Sequence, residues 1–570
     1  LSIFLDINVF RPYIAFIKDF LKGQYMTIGE KIVHLRISYD ISQMQLAKLL
    51  KVSRQSISKW ESGENIPQVD KIAELCNIFK ISADELINDE IIIHRNKKIK
   101  PIISEGFKFK YFGTDGFRGE ANVDLTALHA FKIGRFLGWF YSNPKYNCQK
   151  IGYRPRIVIG KDTRRSSYML EYALASGAAS SGADVELMHV TTTPSVSYIS
   201  KMDGFDAGVM ITASHNPFYD NGIKILNGNG EKLDEGVTYL IECYLDNNLR
   251  PLGIDGDDLP LAEKENIGSI NDYSSGRNRY IGYLISLARH SMKNLRIGLD
   301  CANGASWMIA KSVFAALGAK LYLINNEPDG ININKNAGST HIELLSAFVK
   351  EKKLDVGFAF DGDADRCLAV DENGDIVDGD KIMYLLALKL KQEGRLDNNS
   401  VVATIMSNSG FEKALKKQNI NLVRTKVGDR FVYEKMQEEG YVLGGEQSGH
   451  VIIKKYATTG DGILTALRVA EQMLSSHQKL SELVAPVKLF PQVLKNVRVI
   501  SKSDVMEDND VKTKFNEINK QLEGKGRILL RESGTEPLIR IMAEAPSIEE
   551  CNKYIERLYN VIKKGGHLCE

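Results

Sequence analysis

The chain has 570 residues, 43% of them hydrophobic, and is long enough to form about four domains with buried cores. Its 74 Lys and Arg residues against 72 Asp and Glu leave a net charge of +2, which excludes a general electrostatic attraction to nucleic acid or to an anionic membrane. The seven cysteines form no C-x-x-C pair, which argues against a disulfide framework or a zinc site, and no apolar run is long enough to predict a transmembrane helix. We therefore expect a cytoplasmic protein with no membrane partner.

Residues 1–25 are apolar, but they lack the basic-then-apolar order of a signal peptide. The codons for "KGQYM" can contain a purine-rich stretch just before the ATG of Met26, which is how a bacterial ribosome-binding site would look if it were translated. Leu1 fits a TTG codon chosen as an upstream start. We therefore expect this segment not to belong to the natural protein. The alternative is an amphipathic helix, which Pro12 would interrupt near its middle.

Residues 26–88 show short helical periods separated by turns. "QMQLAKLL", "KVS" and "RQSISKWES" predict helix, turn and helix, with Ser53 as the N-cap of the second helix. The stretch resembles the Cro and lambda-repressor type of helix-turn-helix domain, a small all-α fold. The resemblance implies that Gln43, Arg54, Gln55 and Ser56 face DNA. A helical bundle for protein contacts remains open, because positive and negative charges balance in this segment.

Residues 89–108 include the basic stretch "HRNKKIKPII" and are predicted to form a linker. Beyond it a β-α-β pattern occurs three times, beginning at "RIVIG", "LRIGLD" and "SVVATIM". Each unit is followed by a polar signature, first "TASHNP", then "FDGDADR", then "GGEQSGH". We therefore predict three similar mixed α/β domains that each contribute one loop to a shared cleft, with a smaller α+β domain at the C-terminal end.

"GVMITASHNPFYDNG" places Ser214 between a predicted strand and a turn, at the strand edge where open α/β sheets bind ligands. A hydrolytic serine would need an activating base, and the G-x-S-x-G signature is absent. His215 is a poor base if the segment is extended, because adjacent side chains then point in opposite directions. An ordinary turn serine remains the alternative at this point.

In "FAFDGDADR" three carboxylates recur with a period of two after an apolar strand, on Asp361, Asp363 and Asp365. In a curved loop this spacing directs three oxygen ligands to one point, which suits Mg²⁺. An EF-hand is disfavoured because Arg366 stands where that loop needs Gly, and a solvated acidic turn stays open. The position of Arg366 suggests a cation that orients the carboxylates and meets a phosphate.

Two further signatures suit phosphate and sugar groups. "RESGTEP" offers the Arg531 guanidinium, the hydroxyls of Ser533 and Thr535, and the backbone of Gly534 for a phosphate, although a hairpin turn would look the same. "GGEQSGH" carries Glu446, Ser448 and His450 at alternate positions, which an extended strand would direct to one face toward sugar hydroxyls or an amine.

"FGTDGFRG", "TASHNP", "DGDADR", "GEQSGH" and "SGTEP" occur in this order, and together they resemble the α-D-phosphohexomutase family across everything after the linker. The resemblance implies isomerases that move a phosphoryl group within a sugar phosphate. Within the family, "GEQSGH", "NPFYDNGIKI", "TTGDG" and "FPQVLKNVRV" are most similar to the branch that acts on glucosamine phosphates, which feeds cell-wall synthesis. We predict domain 1 at 109–268, domain 2 at 269–367, domain 3 at 368–486 and domain 4 at 487–570.

The resemblance also implies a role for each signature. Ser214 would carry the phosphoryl group, and the three aspartates and Ser214 would bind Mg²⁺. Lys224, Arg118 and His450 would assist proton transfer. Arg366, Glu446, Ser448 and the 531–535 loop would hold the substrate.

The implied reaction interconverts glucosamine 6-phosphate and glucosamine 1-phosphate through a phosphoserine and a sugar 1,6-bisphosphate, which also acts as activator. A homodimer is a further expectation. The alternatives are a mutase for mannose or glucose phosphates and a DNA-binding regulator that senses a sugar phosphate. Glu532 departs from the family pattern, because a carboxylate beside a phosphate site is unfavourable unless it points away, as alternation from Arg531 would allow.

Overall fold

The structure is a computed structural model that describes residues 27–38, 41–79, 81, 83–87, 109–143, 146, 153–532 and 538–569. The predictions for residues 1–25, for most of the linker and for Ser533, Gly534 and Thr535 lie outside the described residues. The chain divides into two compact units, and the second comprises residues 108–139, 154–233 and 241–570. Among the described residues, no helix combines the length and the apolar character that crossing a bilayer would require.

The N-terminal segment is a small helical domain with a core of its own. Its described residues form the helices α1 (Ile28–Ser38), α2 (Gln43–Leu49), α3 (Arg54–Glu61), α4 (Val69–Phe79) and α5 (Ala83–Ile87). Ser42 caps α2 in a capping box with Gln45, and the Ser53 hydroxyl accepts a hydrogen bond from the Ser56 amide at the start of α3. The helices enclose Leu35, Leu46, Ile57, Leu75 and Phe79, all fully buried. The predicted helix-turn-helix is confirmed, including its N-cap.

The first α/β domain is built on a seven-stranded sheet with the order β1-β2-β6-β5-β3-β4-β7. Its strands are β1 (Phe112–Gly113), β2 (Gly116–Glu120), β3 (Arg156–Lys161), β4 (Asp184–Val190), β5 (Ala207–Ile211), β6 (Asp220–Asn227) and β7 (Ile270–Asp272). The helices in chain order are α6 (Ala127–Ser142), α7 (Arg165–Ser180), α8 (Thr193–Met202) and α9 (Glu235–Leu245). Strands β3, β4, β5 and β7 run parallel, whereas β6 is antiparallel to β5. Every residue of β5 is buried, as is typical of a strand covered on both faces.

The second domain has a five-stranded sheet with the order β12-β11-β10-β8-β9. The strands are β8 (Arg296–Asp300), β9 (Lys320–Ile324), β10 (Val356–Phe360), β11 (Cys367–Asp371) and β12 (Ile376–Val377). Its helices are α10 (Ser274–Ser286), α11 (Ser306–Ala316) and α12 (Glu343–Lys352). Strands β9, β8 and β10 are parallel, and β11 returns antiparallel to β10.

The third domain has a four-stranded sheet with the order β14-β13-β15-β16. The strands are β13 (Ser400–Thr404), β14 (Asn421–Thr425), β15 (Leu443–Gly445) and β16 (Val451–Ile453). Its helices are α13 (Gly379–Gln392), α14 (Ser409–Lys417), α15 (Asp429–Glu439), α16 (Gly462–Ser476) and α17 (Leu480–Val484). The first three strands are parallel, and β16 is antiparallel to β15.

The three α/β domains share one strand order around the same kind of loop. In each, a first parallel strand lies between the second and the third, and an antiparallel strand pairs with the third. "TASHNP" joins β5 to β6, "DGDADR" joins β10 to β11, and "EQSGH" joins β15 to β16. Each signature therefore follows the carboxyl end of the third parallel strand, which is where α/β sheets place ligands.

The C-terminal domain is an antiparallel sheet of three strands, ordered β17-β19-β18. The strands are β17 (Gln492–Arg498), β18 (Arg527–Glu532) and β19 (Leu538–Glu544), and the helices are α18 (Lys502–Glu507), α19 (Asn509–Leu522) and α20 (Ile548–Lys564). One apolar cluster, which includes Ile518, Ile541 and Ile555, packs the helices on the sheet. The predicted fold class of three similar α/β domains, a C-terminal α+β domain and an N-terminal helical domain is confirmed.

Candidate functional site

The three repeated loops meet in the second unit of the chain. The Ser214 hydroxyl donates to Asp361 Oδ2 at 2.6 Å, so the first loop touches the second. The amide of Cys367 donates to the Gly449 carbonyl at 3.0 Å, so the second loop touches the third. Ser214 and Asp361 are more than 140 positions apart in the sequence, and Cys367 and Gly449 are more than 80 positions apart. Only the packing of the domains brings these residues together.

Ser214 is held in a left-handed backbone conformation, with φ of 50°. Its amide donates to the Thr212 hydroxyl at 2.9 Å. Its carbonyl accepts from Arg164 Nη2 at 3.0 Å and from Asn334 Nδ2 at 2.7 Å. A non-glycine residue in this region costs about 1 kcal/mol, which such contacts offset. Two fixed donors on its carbonyl therefore orient Ser214 toward the second loop.

The aspartates of the second loop form a compact oxygen cluster. One carboxylate oxygen from each of Asp361, Asp363 and Asp365 lies within 4.8 Å of the others, and all three side chains are buried. Asp363 Oδ1 and Asp365 Oδ1 are buried without a hydrogen-bond partner. Burial and the neighbouring aspartates raise the pKa of Asp361 well above its usual value. Three buried carboxylates, two of which have an oxygen without a hydrogen-bond partner, are suited to bind a cation at this point.

The second loop also needs a glycine between its first two aspartates. A Cβ on Gly362 would lie 2.4 Å from the Ser214 carbonyl oxygen, which is well inside van der Waals contact. The glycine thus allows the backbone that carries the acids to approach the backbone that carries the hydroxyl.

Lys224 lies on β6, beside the carboxylates. Its Nζ is 2.8 Å from Asp363 Oδ2, 3.1 Å from Asp365 Oδ2 and 3.3 Å from Asp115 Oδ2. Burial lowers the pKa of Lys224, but these three carboxylates raise it overall, well above its usual value. Arg118 on β2 pairs with Asp115 as well. Lys224 is therefore cationic, suited to stabilise negative charge or to donate a proton.

His215 is closer to Ser214 than an extended segment would allow. Its Nδ1 lies 3.4 Å from the Ser214 hydroxyl, so the expectation that the two side chains point in opposite directions is wrong. The reason is the left-handed conformation of Ser214, which breaks the alternation of an extended chain. Burial, with the nearby Arg366 and Arg118, lowers the pKa of His215 to about 4.

The third loop is a tight turn, not a strand. The Gly449 amide donates to the Glu446 carbonyl at 3.0 Å, and Gly449 has φ of 93°. The alternation expected for Glu446, Ser448 and His450 therefore does not hold: Ser448 is exposed, while His450 is buried. His450 Nε2 accepts from the Gly460 amide at 2.9 Å, which leaves Nδ1 facing Asp365 Oδ2 at 3.7 Å. Arg366 is half-buried and follows the aspartates directly.

Arg531 stands at the end of β18, directly before the part of the "RESGTEP" loop that lies outside the described residues. Its cross-strand partner is Arg540 on β19. Burial and the charge of Arg540 lower the pKa of Arg531, and Arg531 Nε has no partner among the described residues. Two arginines opposite each other repel unless an anion lies near them. Glu532 is exposed and pairs with Ile539, as alternation predicts.

The predicted DNA-facing residues occupy the starts of α2 and α3. Arg54 and Gln55 are exposed, whereas Gln43 and Ser56 are half-buried. Gln43 Nε2 donates to Glu61 Oε2 at 2.7 Å, and Arg54 Nε donates to Gln43 Oε1 at 3.4 Å. The four residues thus lie at adjoining helix ends, and two of them contact each other.

Sequence reasoning missed several residues of the site. Asp115 links Lys224 to Lys232, and Asp429 links Lys232 to His450. Asn334 and Arg164 hold the Ser214 carbonyl. Asp115 stands inside "FGTDGFRG", so that signature was the available signal, whereas an isolated lysine or asparagine in a loop carries none.

A serine hydroxyl bonded to clustered carboxylates, on loops of repeated α/β domains, fits a sugar-phosphate mutase of the phosphohexomutase class. Family models support this class domain by domain. The phosphoglucomutase/phosphomannomutase models match domain I at residues 109–250, domain II at 278–374, domain III at 378–490 and the C-terminal domain at 494–561. A helix-turn-helix model matches residues 33–86.

Relatives with high sequence identity to this chain are phosphoglucosamine mutases. A phosphoglucosamine mutase of Lachnospira eligens is 56% identical over 458 residues, which cover 80% of this chain and 99% of that protein. A phosphoglucosamine mutase of Bacillus subtilis is 48% identical over 454 residues, 80% of this chain and 98% of that protein. The chain belongs to the phosphoglucomutase/phosphomannomutase family, as the order of its signatures predicts, and these relatives within it are phosphoglucosamine mutases.

Solved structures share the fold at low sequence identity. A phosphoglucomutase/phosphomannomutase family protein of Burkholderia thailandensis superposes with a TM-score of 0.64 at 22% identity, covering 80% of this chain and 98% of that one. The N-acetylphosphoglucosamine mutase of Aspergillus fumigatus has a TM-score of 0.57 at 18% identity, covering 80% and 96%. These likenesses confirm the architecture of the four domains.

Proposed function

We propose that this chain is a phosphohexomutase that interconverts glucosamine 6-phosphate and glucosamine 1-phosphate through a phosphoserine at Ser214. The contact that carries the proposal is the 2.6 Å hydrogen bond from the Ser214 hydroxyl to Asp361, one of three clustered carboxylates. The 56% identity to a phosphoglucosamine mutase over 80% of the chain supports the amino sugar as substrate. The alternatives, a mutase for mannose or glucose phosphates and a sensor without catalysis, have no such support.

The aspartate cluster fits Mg²⁺. The unpartnered oxygens Asp363 Oδ1 and Asp365 Oδ1, together with Asp361 and the Ser214 hydroxyl, offer the hard oxygen ligands that Mg²⁺ prefers. When bound, the ion would withdraw electron density from the phosphoryl oxygens. Asp363 Oδ2 contacts Lys224 and the Thr193 hydroxyl, so the second oxygen of this carboxylate remains for a metal.

The side chains around Ser214 supply the remaining chemistry. In the first transfer the anomeric oxygen of glucosamine 6-phosphate forms the new bond to phosphorus, and the bond to Ser214 Oγ breaks. The anomeric hydroxyl loses its proton as this bond forms, and Ser214 Oγ takes up a proton as its own bond breaks, so one proton passes from the sugar to the serine. Lys224, held in its cationic form beside the developing negative charge, would assist this proton transfer. Arg118 would assist the same proton transfer as Lys224, and His450 would take part in proton transfer at the sugar hydroxyl.

The second transfer requires the substrate to turn around. The sugar 1,6-bisphosphate presents its 6-phosphate to Ser214, which takes it back and leaves glucosamine 1-phosphate. Glu446 and Ser448 would hold sugar hydroxyls in both orientations, and Arg366 the phosphate near the aspartates. Arg531, with Ser533, Gly534 and Thr535, would grip the phosphate that is not reacting. The same bisphosphate, added externally, would phosphorylate Ser214 and so activate the enzyme.

A comparison of substrates tests the proposal. We expect the value of kcat/KM to be at least about 10-fold higher for glucosamine phosphates than for mannose or glucose phosphates, in assays with Mg²⁺ and a matching sugar bisphosphate. Binding of the amino group accounts for such a ratio, because a site built around a polar group discriminates against substrates that lack it. A higher value for glucose or mannose phosphate would refute the assignment to glucosamine.

Replacing Arg531 by Ala should weaken the grip on the phosphate. The change removes a forked cation from a site that binds a dianion, so we expect a loss of about 2 to 4 kcal/mol in transition-state stabilisation, read from kcat/KM. Lys495→Ala is a matched control, since Lys495 belongs to the same domain and contacts the exposed Glu556 and the Tyr559 ring, away from Arg531. A change in metal dependence alone, with substrate kinetics intact, would place Arg531 outside the phosphate site.

A second activity follows from the helix-turn-helix domain. We propose that it binds DNA through Gln43, Arg54, Gln55 and Ser56, because the N-cap at Ser53 and the exposed Arg54 and Gln55 present the start of α3 to a ligand. Selection from random duplex DNA should return one enriched sequence, and Gln55→Ala should lower the enrichment. If no sequence is enriched, the DNA-binding proposal is wrong, and a role of this domain in protein contacts is favoured.

The helix-turn-helix domain should be dispensable for catalysis. Among the described residues, the buried members of its apolar cluster all fall between Ile32 and Leu86, so the helices enclose a core of their own. A shortened chain that begins near Ser104 is therefore expected to keep a kcat within about 2-fold of the full chain. Aggregation or loss of folding in the shortened chain would show that the two parts share a core.

The sheets place β7 (Ile270–Asp272) in the first domain and β11 (Cys367–Asp371) and β12 (Ile376–Val377) in the second, so the boundaries predicted at 268 and 367 come too early. The boundary at 486 and the linker at 89–108 remain part of the proposal. We place the enzyme in the cytoplasm, since charged sugar phosphates do not diffuse across membranes. The expected homodimer stays a prediction, which light scattering on the purified chain would test.

A further inference from the structure

A lysine outside the family signatures lies between two carboxylates of the candidate site. Lys232 follows β6, and its Nζ is 2.7 Å from Asp429 Oδ1 and 3.3 Å from Asp115 Oδ1. It also donates to the carbonyl of Thr114 at 3.1 Å. Lys232 and Asp115 belong to the first α/β domain, while Asp429 begins α15 of the third.

The second oxygen of each carboxylate faces a group of the proposed mechanism, and at His450 this is a charge contact without a hydrogen bond. Asp115 Oδ2 is 3.3 Å from Lys224 Nζ, and Asp429 Oδ2 is 3.6 Å from His450 Nε2. The order is therefore Lys224, Asp115, Lys232, Asp429 and His450, with every step within 4 Å. Lys224 lies beside Ser214's aspartates, whereas His450 comes from the sugar-binding loop.

The charge of Lys232 is what allows the two carboxylates to lie near each other. Like charges in a partly buried site repel, and a cation placed between them removes the repulsion. Without it, Asp115 would keep Lys224 and Arg118, but Asp429 would keep only His450. The two carboxylates would then separate. Asp365 Oδ2 would still lie between Lys224 Nζ at 3.1 Å and His450 Nδ1 at 3.7 Å, but the opposite side of each group would lose its support.

We propose that Lys232 is a positioning residue that, by holding Asp115 and Asp429 together, fixes the orientation of Lys224 and His450 on either side of Asp365. It acts through these carboxylates and not on the reacting atoms. The inference rests on the proposed mutase function, because Lys224 and His450 matter only if the chain transfers a phosphoryl group.

The neighbouring residue provides a matched control. Glu231 crosses the same boundary between domains, accepting from Tyr433 Oη at 2.7 Å and from Gln437 Nε2 at 3.1 Å. Neither partner leads to Lys224 or His450. Glu231→Gln therefore weakens the contact between domains while the bridge of Lys232 stays intact.

The test compares steady-state kinetics of Lys232→Met, Lys232→Arg and Glu231→Gln with the wild type. We expect Lys232→Met to lower kcat by about 30-fold or more with KM changed by less than about 3-fold, because misplacement of reacting groups by a fraction of an ångström slows chemistry more than binding. Lys232→Arg should recover kcat to within about 5-fold of wild type, and Glu231→Gln should stay within about 2-fold. Asp429→Asn, which keeps the side-chain volume, should lower kcat as Lys232→Met does, and the double variant should lose little more.

Two results would overturn the proposal. An unchanged kcat in folded Lys232→Met, or equal losses in Lys232→Met and Glu231→Gln, would show that the charge bridge has no role of its own. If Lys232→Met fails to fold, the same measurement on Asp429→Asn replaces it, and an unchanged kcat in that variant would overturn the proposal. If the wild type turns over no hexose phosphate, the proposed function itself is wrong. If the wild type is active and Lys232→Met is equally active, only the positioning role of Lys232 is wrong.

Discussion

Replacing Ser214 by Ala should lower mutase turnover by at least about 10⁴-fold while the chain still folds. The side chain loses a single oxygen atom, and both residues carry a Cβ, so the left-handed backbone is no more strained in the variant. The donors on the Ser214 carbonyl, Arg164 and Asn334, remain in place. Catalysis is lost because no phosphoryl group can be stored on the protein.

The measurement is turnover of glucosamine 6-phosphate with saturating sugar bisphosphate, with intact-mass analysis of each protein. Wild type should gain the mass of one phosphoryl group and the variant should gain none. Ser200→Ala is the matched control. Ser200 is also a buried serine of the first domain, but among the described residues its hydroxyl donates only to the Val196 carbonyl. Near-normal turnover by Ser214→Ala would eliminate the phosphoserine mechanism.

Removal of divalent metal should silence the enzyme, and Mg²⁺ should restore it fully. The reason is the cluster of three buried carboxylates, two of which have oxygens without a partner. A group of negative charges in this environment is stabilised by a divalent cation that can also bind phosphoryl oxygens. We expect turnover in excess EDTA to fall below about 1% of the value with Mg²⁺.

Binding of Mg²⁺ to the protein, measured by calorimetry, separates this assignment from an effect on the substrate. Asp365→Asn should weaken Mg²⁺ binding at least about 100-fold, since it replaces a charged ligand by an amide. Asp371→Asn is a suitable control, because Asp371 is a buried aspartate of the same domain whose Oδ1 accepts only from the amides of Asn373 and Asp375. Full activity in chelator, or unchanged binding in Asp365→Asn, would place the metal elsewhere.

Local chemistry explains why the N-terminal helices and the order of the domains were predictable. Ser53 and the amide it caps are three residues apart, so the contact is encoded within one turn of chain. The three aspartates lie within five residues after an apolar strand, and their convergence needs only a curved loop. The repeat of β-α-β units was visible because buried parallel strands leave continuous apolar runs.

Two local expectations were wrong for one physical reason. Both the orientation of His215 and the shared face of Glu446, Ser448 and His450 assumed an extended chain. Ser214 and Gly449 instead adopt positive φ, which turns the chain and changes where the neighbouring side chains point. Such a conformation is stabilised by contacts from other segments, as Arg164 and Asn334 show at Ser214.

By itself the sequence determined the family, the fold class and the helix-turn-helix domain, and it predicted that Ser214 and the aspartates of 361–365 belong to one site. Each of those features depends on motifs whose residues are close together in the sequence, so short segments are enough to predict it. Tertiary structure alone decided that Asp115, Lys232 and Asp429 join Lys224 to His450, because these residues are up to about 300 positions apart and each is an ordinary charged residue in its own segment. A contact between distant side chains exists only once the domains pack, and no local pattern specifies it.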